Sequence, residues 1–289
     1  MSEEHLRQRI HKIMPDLEIE QFELNEEGLI NDIAIVNQEL VFRFAKNEGF
    51  AQILNLELDI LDLIRPNVDV PVPSPVYRGP GSVVYPLVRG QALLHENLLA
   101  MDEPTQDKIA TQLGTFLRQL HSIGHGDLEW NLPATMAPVT REKWIEIRGR
   151  VEDKVYPLLL KHQVSWAENL FDRVLSDPAT FEYAPTVIHG DLAPYHILYL
   201  PAKAEISGII DFGVAGLGDP ALDIGTLITS YGEQFISRMS GTYPEMAAHL
   251  PRARFYARAI ELQWVLLGLE TDDDFWFTAH LGTARDVLG

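Results

Sequence analysis

Two carboxylates beside apolar segments are the residues of this sequence best suited to chemistry. Asp191 lies between two short apolar runs, and Asp211 comes 20 positions later, directly after another. Because such runs are typical of buried strands, a hairpin can bring the two acids to one point. One carboxylate can bind a metal ion while the other accepts a proton, as transfer of phosphate to an alcohol requires. The spacing therefore favours a phosphoryl-transfer centre.

The chemistry suggests a role for each candidate. Mg²⁺ prefers hard oxygen ligands and takes few of them from the protein, so Asp211 suits a metal site. Asp191 can accept a hydrogen bond from the acceptor hydroxyl and orient it. The nucleotide phosphates also need a cation. Arg43 or Lys46, at the end of a predicted strand, can supply it if a carboxylate such as Glu57 holds the side chain.

The N-terminal part of the chain reads as a small sheet with one long helix. The apolar patterns predict strands over residues 17–24, 33–36 and 40–44, a strand running into a connector over residues 82–90, and helices over residues 6–14 and 50–64. Glu57 falls on the apolar face of the second helix, where an unpaired carboxylate is costly. It either pairs with Arg43 or Lys46, or reaches solvent from the edge of that face.

The remainder reads as mainly helical. Helices are predicted over residues 104–123, 140–176 with a break at Pro157, and 252–269, and a hairpin is predicted from residues 196–200 and 205–210. We place a lobe boundary near residue 89, in the strand and connector at residues 82–90. The N-terminal lobe then comprises residues 1–88 and the C-terminal lobe residues 89–289.

Composition excludes several classes of function. The chain has 289 residues, a net charge of −19 and no cysteine. Strong acidity repels nucleic acids and attracts small cationic substrates, although it could equally serve only solubility. No apolar run approaches the ~20 residues of a membrane span. With its polar, acidic start, the sequence predicts a cytoplasmic protein without disulfides, and we expect a monomer.

The two acidic motifs together resemble a known pattern. His-Gly-Asp at residues 189–191 and Asp-Phe-Gly at residues 211–213 are spaced like the catalytic and metal-binding motifs of protein kinases. With Gly in place of Arg in the first motif, the sequence is similar to the aminoglycoside phosphotransferase family over nearly its whole length. The resemblance implies an α+β, bilobal, protein-kinase-like fold, with a small antiparallel-sheet lobe bearing one helix and a larger, mainly helical lobe.

The resemblance also implies roles for individual residues. Asp191 matches the catalytic base and Asp211 the main Mg²⁺ ligand. His196 stands where the family usually has a metal-binding Asn, so it either binds the metal or packs the loop through hydrogen bonds. Asp223 matches an aspartate that braces the catalytic loop, and His189 is structural.

The nucleotide site follows from the same resemblance. Arg43 aligns with the small-lobe lysine of the family, with Lys46 as the fallback, and Glu57 holds the cation. The strand end and connector, which would contact the base, comprise Tyr85, Pro86, Leu87 and Val88. Tyr85 occupies the place of a bulky aromatic residue that favours GTP in the 2''-phosphotransferases, the group most similar to this sequence. We therefore expect GTP to be used at least as well as ATP.

A polycationic aminoglycoside needs a site lined by carboxylates. The candidate substrate contacts are Asp219, Glu233, Glu270 and Asp274, with Trp276 as a surface for a sugar ring. The acids could equally be solvated, and the Trp could belong to the core.

Three other functions remain open from the sequence. The same fold could phosphorylate another alcohol, such as a macrolide, choline or a sugar. A nucleotide-binding pseudokinase is a second alternative, against which both intact acids argue. A metal hydrolase is weaker, because no predicted helix carries a His-x-x-x-His pair beside an acid.

Overall fold

The computed structural model describes residues 3–25, 30–123 and 132–272. The strands are β1 (Phe22–Asn25), β2 (Asn31–Val36), β3 (Leu40–Ala45), β4 (Tyr77–Gly79), β5 (Ser82–Pro86), β6 (Gln91–Ala92), β7 (Thr186–Ile188), β8 (Ile197–Leu200), β9 (Glu205–Ile209) and β10 (Gly216–Gly218). The helices are α1 (Glu3–Ile13), α2 (Glu48–Ile64), α3 (His95–Leu99), α4 (Glu103–Ser122), α5 (Arg141–Lys154), α6 (Lys161–Leu175), α7 (Ala221–Tyr231), α8 (Glu233–Ser237) and α9 (Leu250–Thr271).

The N-terminal lobe is an antiparallel sheet with the strand order β1-β2-β3-β5-β4. Successive side chains of a strand point to opposite faces. Phe42 and Phe44 of β3 are accordingly buried together with Leu6 and Ile10 of α1, whereas Arg43 between them reaches the helix α2. The alternation in one short strand thus builds a core on one face and delivers a cation to the other.

The predicted helix over residues 50–64 is confirmed, with an earlier start. The side chain of Asn47 accepts a hydrogen bond from the backbone N–H of Phe50 at 2.9 Å, which caps α2 and places its first residue at Glu48. The strand predicted over residues 17–24 is shorter than expected, because the Asn37 side chain bonds the backbone N–H groups of Glu20 and Gln21. Only the segment that follows, β1, pairs with β2.

The chain changes sheets in the predicted connector. β5 ends at Pro86, and β6 then pairs with β8 in a three-stranded sheet with the order β6-β8-β9. The side chain of Val88 packs closely on Gly208 of β9. The proposed boundary at residue 88 falls in this segment, between a strand of the first sheet and a strand of the second.

The larger lobe is mainly helical, and the fold is the α+β, bilobal, protein-kinase-like fold that the sequence implied. Its centre is α7, which is buried along nearly its whole length and packs against α9. The predicted break at Pro157 is confirmed, since α5 ends at Lys154 and α6 starts at Lys161. No helix in the described part of the chain combines the length and the apolar character that crossing a membrane requires.

The predicted hairpin is confirmed as β8 and β9, but the two acids do not share it. β7, which leads to Asp191, pairs with β10, which follows Asp211. The hairpin instead brings Asp211 beside His196, through a hydrogen bond from the Ile210 N–H to the His196 carbonyl at 2.9 Å. Two separate antiparallel pairs therefore build the acidic centre.

The contact between α7 and α9 yields a matched pair of glycine variants. A Cβ on Gly225 would lie 2.8 Å from the backbone oxygen of Ala253, whereas a Cβ on Gly149 of α5 meets nothing within 4 Å. We expect Gly225→Ala to lower the free energy of unfolding by about 1–3 kcal/mol through overpacking. Gly149→Ala should raise it by roughly 0.5–1 kcal/mol, because alanine favours helix.

Urea unfolding of both variants beside the parent protein measures these two changes. Equal effects of the two substitutions would contradict the close contact between the helices.

Candidate active site

The loop that carries Asp191 is fixed by a buried carboxylate. Asp223, at the start of α7, is fully buried and accepts hydrogen bonds from the backbone N–H groups of His189 at 2.9 Å and Gly190 at 2.8 Å. Burial alone would raise the pKa of Asp223, but its hydrogen bonds and the nearby imidazoles hold that pKa below its ordinary value. The structure thus places Asp223 where the sequence predicted a brace.

Gly190 is required at the turn that follows. Its φ of +83° is unfavourable for residues with a side chain, and a Cβ there would lie 3.0 Å from the backbone oxygen of Val214. The tight turn directs Asp191 away from the strand and into the centre.

His189 ties the two acidic loops together. Its Nδ1 accepts from the backbone N–H of Asp191 at 3.2 Å, and its Nε2 lies 3.0 Å from the carbonyl of Ile210. A carbonyl only accepts, so Nε2 carries the proton and the imidazole is neutral. Burial lowers the pKa of His189 to about 4, which agrees with that assignment. The structure places His189 as a connector between the loops, in line with the structural role predicted for it.

Asp191, His196 and Asp211 converge at the centre. The Nδ1 of His196 is 2.7 Å from the backbone oxygen of Asp191 and 3.8 Å from its carboxylate. The Nε2 of the same ring is 3.4 Å from the carboxylate of Asp211. Asp211 itself takes a left-handed backbone conformation with a φ of +65°. One imidazole therefore stands between the two predicted acids.

The two acids differ in their electrostatic surroundings. Burial, together with the charges of Asp211 and Asp223, raises the pKa of Asp191 to about 6 against the opposing effect of His196. For Asp211, burial is outweighed by His196 and Arg43, so its pKa lies below the ordinary value. Environments that separate two carboxylates in this way are typical of acids with different tasks.

The tautomer of His196 defines what can lie beside it. Because Nδ1 faces the Asp191 carbonyl, it carries the proton, and the Nε2 of a neutral ring presents a lone pair to Asp211. A lone pair opposite a carboxylate is favourable only with a proton or cation between them. The Asp211 side chain is 52% exposed, so a cation can reach it from solvent. This donor set of one carboxylate and one imidazole fits a divalent cation.

The small lobe contributes an ion pair from β3 and α2. Arg43 donates from Nη1 to Glu57 at 2.6 Å, and the Glu57 side chain is only 1% exposed. Burial opposes the charge on Arg43, but Glu57 outweighs it and raises the Arg43 pKa, so the guanidinium stays cationic. Of the two partners expected for Glu57, the structure selects Arg43. Lys46 lies just past the end of β3 with an exposed side chain.

Tyr85 lies beside this ion pair. It is 4% exposed, and the charges of Glu57 and Arg43 both act on its hydroxyl, while burial is the main cause that raises its pKa. Among the described residues its hydroxyl has no hydrogen-bond partner. In the connector that follows, Pro86 is exposed, and the Leu87 N–H bonds the carbonyl of Glu39.

The structure corrects the prediction for Asp219. Its carboxylate is fully buried, receives bonds from Arg252 Nε at 2.7 Å and from the Tyr256 hydroxyl at 3.0 Å, and caps the backbone N–H of Ala221. With its lone pairs engaged inside the protein, Asp219 is a structural carboxylate and not a contact for a cationic substrate.

The other predicted substrate acids are also paired within the chain. Glu233 is buried against Arg254, with both oxygens 3.0 Å from Nε, and Glu270 pairs with Arg150 and Lys154. A cationic substrate could bind these acids only by displacing the side chains that they already hold. Asp274 and Trp276 lie outside the described residues.

Two further residues belong to this region and were missed from the sequence. His121 bonds Asp223 from Nε2 at 3.1 Å, and it lies four positions after Leu117 on the buried face of α4. A histidine on an apolar helix face needs a partner, which was the available signal. Tyr195 is 43% exposed, and its ring lies 4.4 Å from that of His196. The signal that the sequence offered for Tyr195 was an aromatic residue between Asp191 and His196.

A sheet lobe with a buried arginine–glutamate pair, together with an acidic centre built by two antiparallel strand pairs, is typical of a kinase-like phosphotransferase. The chain belongs to the phosphotransferase enzyme family, whose model matches residues 21–256. It is accordingly an enzyme that transfers phosphate to a hydroxyl acceptor.

Known proteins resemble the chain over most of its length. A GDP complex of a point mutant of aminoglycoside 2'-phosphotransferase-IIIa superposes with a TM-score of 0.83 at 29% identity, covering 97% of this chain and 95% of the other. The GDP and kanamycin complex of APH(2")-IIIa gives a TM-score of 0.81 at 28% identity over 96% of both chains. Viomycin phosphotransferase from Streptomyces vinaceus is 25% identical over 228 residues, which are 74% of this chain and 75% of that protein.

The buried neutral state of His189 predicts a pH-dependent contribution to stability. Its folded pKa of about 4 lies below the ordinary 6.5, so on acidification the unfolded chain binds the proton first. The stability that neutral His189 contributes is present above pH 6.5 and is lost as the pH falls to about 4. Its magnitude is on the order of 3 kcal/mol.

Urea unfolding of the parent and of His189→Gln at about pH 7.5 and about pH 4.5 checks this, since glutamine does not titrate. The stability difference between the two proteins should be smaller at the lower pH. His162→Gln, on the exposed face of α6, controls for loss of a surface histidine. A difference for His189→Gln that is the same at both pH values would contradict the assignment.

Proposed function

We propose that this enzyme transfers the γ-phosphate of GTP, or of ATP, to a hydroxyl of an aminoglycoside antibiotic. The observation that carries the proposal is the convergence of Asp191, His196 and Asp211 at one centre, within the electrostatic reach of Arg43. The likeness to enzymes solved with GDP, one of them also with kanamycin, supports the nucleotide and the acceptor class.

Asp191 acts on the acceptor hydroxyl. With a pKa of about 6 it is largely ionised at neutral pH, and its carboxylate can accept a hydrogen bond from the hydroxyl. The bond holds the oxygen in line with the γ-phosphate, and Asp191 takes the proton late in the reaction, as is usual for loose phosphoryl-transfer transition states. The backbone bonds to Asp223 keep the carboxylate in place while the substrates exchange.

Asp211 and His196 would hold Mg²⁺. Among the described residues no three His, Asp or Glu side chains form a metal-binding group, which is consistent with an ion that takes few protein ligands and relies on phosphate and water for the rest. When bound, the ion neutralises charge on the phosphates. The lone pair of His196 Nε2 and the exposed carboxylate of Asp211 are the two donors that the chain offers it.

Arg43 supplies the second positive charge. Its bond to Glu57 uses Nη1, and a guanidinium has further N–H groups that can bind phosphate oxygens. Glu57 fixes the side chain before the nucleotide arrives, which lowers the entropy cost of binding. Lys46, directly after the same strand, is the alternative cation for the phosphates.

The acceptor class rests on charge and on one aromatic side chain. A net charge of −19 attracts a polycation. Because several of the predicted substrate acids are already paired within the protein, this attraction acts through the electrostatic field of the whole molecule. The exposed ring of Tyr195, beside His196, offers a flat surface against which a sugar ring can pack.

Replacing the proposed base tests the assignment of Asp191. Asp191→Asn keeps the size of the side chain but lowers its ability to accept the hydroxyl proton. We expect kcat for phosphate transfer to fall by at least about 100-fold, with nucleotide affinity changed little. The control is Asp59→Asn, which removes the charge of an exposed acid of α2, far from Asp191 in the sequence, and should leave kcat unchanged.

Steady-state kinetics and a nucleotide-binding titration on the three proteins give the result. A kcat for Asp191→Asn within a few-fold of the parent value would refute the role of Asp191 as base.

The buried position of Tyr85 predicts the nucleotide preference. Tyr85 is buried beside the Arg43–Glu57 pair. The resemblance to the 2''-phosphotransferases implies that such a ring narrows the space for the base, so the parent enzyme should turn over GTP at least as well as ATP. Tyr85→Leu widens that space and should shift the ratio of kcat/KM for GTP over ATP toward ATP by about 10-fold.

Tyr77→Leu, which shortens an aromatic residue on the neighbouring strand β4, is the matched control and should not change the ratio. A parent enzyme that prefers ATP in competition with GTP would remove the hypothesis.

A further inference from the structure

A cavity lies behind the loop that carries Asp191. It has a volume of about 420 Å³ and is walled by the end of α4, the start of β7 and the segments that lead into α7 and α9. His121 on its wall bonds Asp223, which in turn bonds the backbone of the catalytic loop. Asp191, His196 and Asp211 do not line it. The cavity has the size of a small-molecule site and is separated from the acidic centre by the Asp223 carboxylate.

The polar groups on the wall are not all satisfied. Both nitrogens of His121 are engaged, by Asp223 at 3.1 Å and by the Tyr243 hydroxyl at 2.9 Å. The Oγ1 of Thr186 and the Nδ1 of His249, by contrast, are buried and have no hydrogen-bond partner in the described part of the chain. Thr186 is only 2% exposed. Buried polar atoms are almost always bonded, so two free ones on one cavity wall point to a ligand with a polar group.

The charges on the wall favour an anion. Arg118 and Arg252 both line the cavity, and their bonds to Glu245 and Asp219 use only part of their N–H donors. Glu245, an acid on the same wall, is the partner of Arg118 and its side chain is 54% exposed. Each arginine is paired with one acid, and the N–H donors that these pairs leave over remain available for an anionic ligand.

The shape of the wall favours a planar ring. Tyr183, Tyr243 and His249 are aromatic residues of the lining, and the Arg252 guanidinium lies 5.5 Å from the centroid of the Tyr183 ring. The rings of Tyr243 and His249 are 6.2 Å apart between centroids. Aromatic walls with a few convergent polar groups are typical of sites for small organic molecules.

From these observations we infer that the cavity is a second ligand site, which binds a small planar organic anion such as an aromatic carboxylate. The ring lies among the tyrosine and histidine faces. The carboxylate accepts hydrogen bonds from the Thr186 hydroxyl and from the arginine donors at the wall. This site is independent of the nucleotide and acceptor proposed for the acidic centre.

The test uses three probes of the same shape: benzoate, the neutral benzamide and the cationic benzylamine. Ligand-observed NMR titrations on the full chain should show saturable binding of benzoate, with benzamide at least about 10-fold weaker, as expected for loss of charge-assisted hydrogen bonds. No saturable binding of benzoate, or equal affinity for all three probes, would overturn the proposal. The first of these results would mean that water alone satisfies the two free polar atoms.

Matched variants locate the site. Thr186→Val removes the free hydroxyl at constant shape and should weaken benzoate by about 10-fold, whereas Thr226→Val removes a buried hydroxyl of α7 that bonds the Leu222 carbonyl and should not. Unchanged affinity in Thr186→Val would refute the assigned contact.

A second pair of variants tests the site without replacing a buried residue. Ala248→Phe fills the cavity from its exposed edge and should abolish benzoate binding, while Ala247→Phe, on the preceding exposed residue outside the cavity wall, should leave it intact. Melting temperatures of all four variants show whether they are folded. Benzoate binding that survives in folded Ala248→Phe would place the probe elsewhere and overturn the proposal.

Discussion

The acidic centre depends on the buried carboxylate of Asp223. Taking a carboxylate out of water costs several kcal/mol unless hydrogen bonds replace its hydration. Here the backbone N–H groups of His189 and Gly190 and the ring of His121 replace it. Since those two N–H groups belong to the loop that carries Asp191, the bonds that stabilise the buried charge also determine where the proposed base lies.

The second constraint joins the two lobes. Glu57 of α2 holds Arg43 of β3 through Oε1. The other oxygen of Glu57, Oε2, faces Gly213 beside Asp211, where a Cβ on the glycine would lie 3.9 Å from it. The charge of Arg43 in turn helps to lower the pKa of Asp211. The small lobe therefore acts on the acidic centre through one ion pair, which requires a strand, a helix and a loop from distant parts of the sequence to meet.

The sequence allowed the fold and the central residues to be predicted because both have local signals. Apolar periodicity located the long helices and the β8–β9 hairpin, and the motif spacing located Asp191 and Asp211. The predictions that failed concern residues whose partners in the fold are distant in the sequence. Asp219 carries the negative charge expected of a contact for a cationic substrate. Its partners Arg252 and Tyr256 lie far from it in the sequence, and no local pattern shows that they enclose it. The pairing of β7 with β10 and the cavity behind the loop that carries Asp191 also arise from contacts between residues distant in sequence.

The most direct test of the central claim is an acceptor panel with purified enzyme, Mg²⁺ and either GTP or ATP. Kanamycin, erythromycin, choline and glucose are incubated separately, and mass spectrometry of each acceptor is combined with nucleotide diphosphate release. The account predicts that kanamycin gains one phosphoryl group, with GTP at least as effective as ATP, while the other acceptors are unchanged. Phosphorylation of erythromycin, choline or glucose with kanamycin unmodified, or transfer to none of the four, would contradict it.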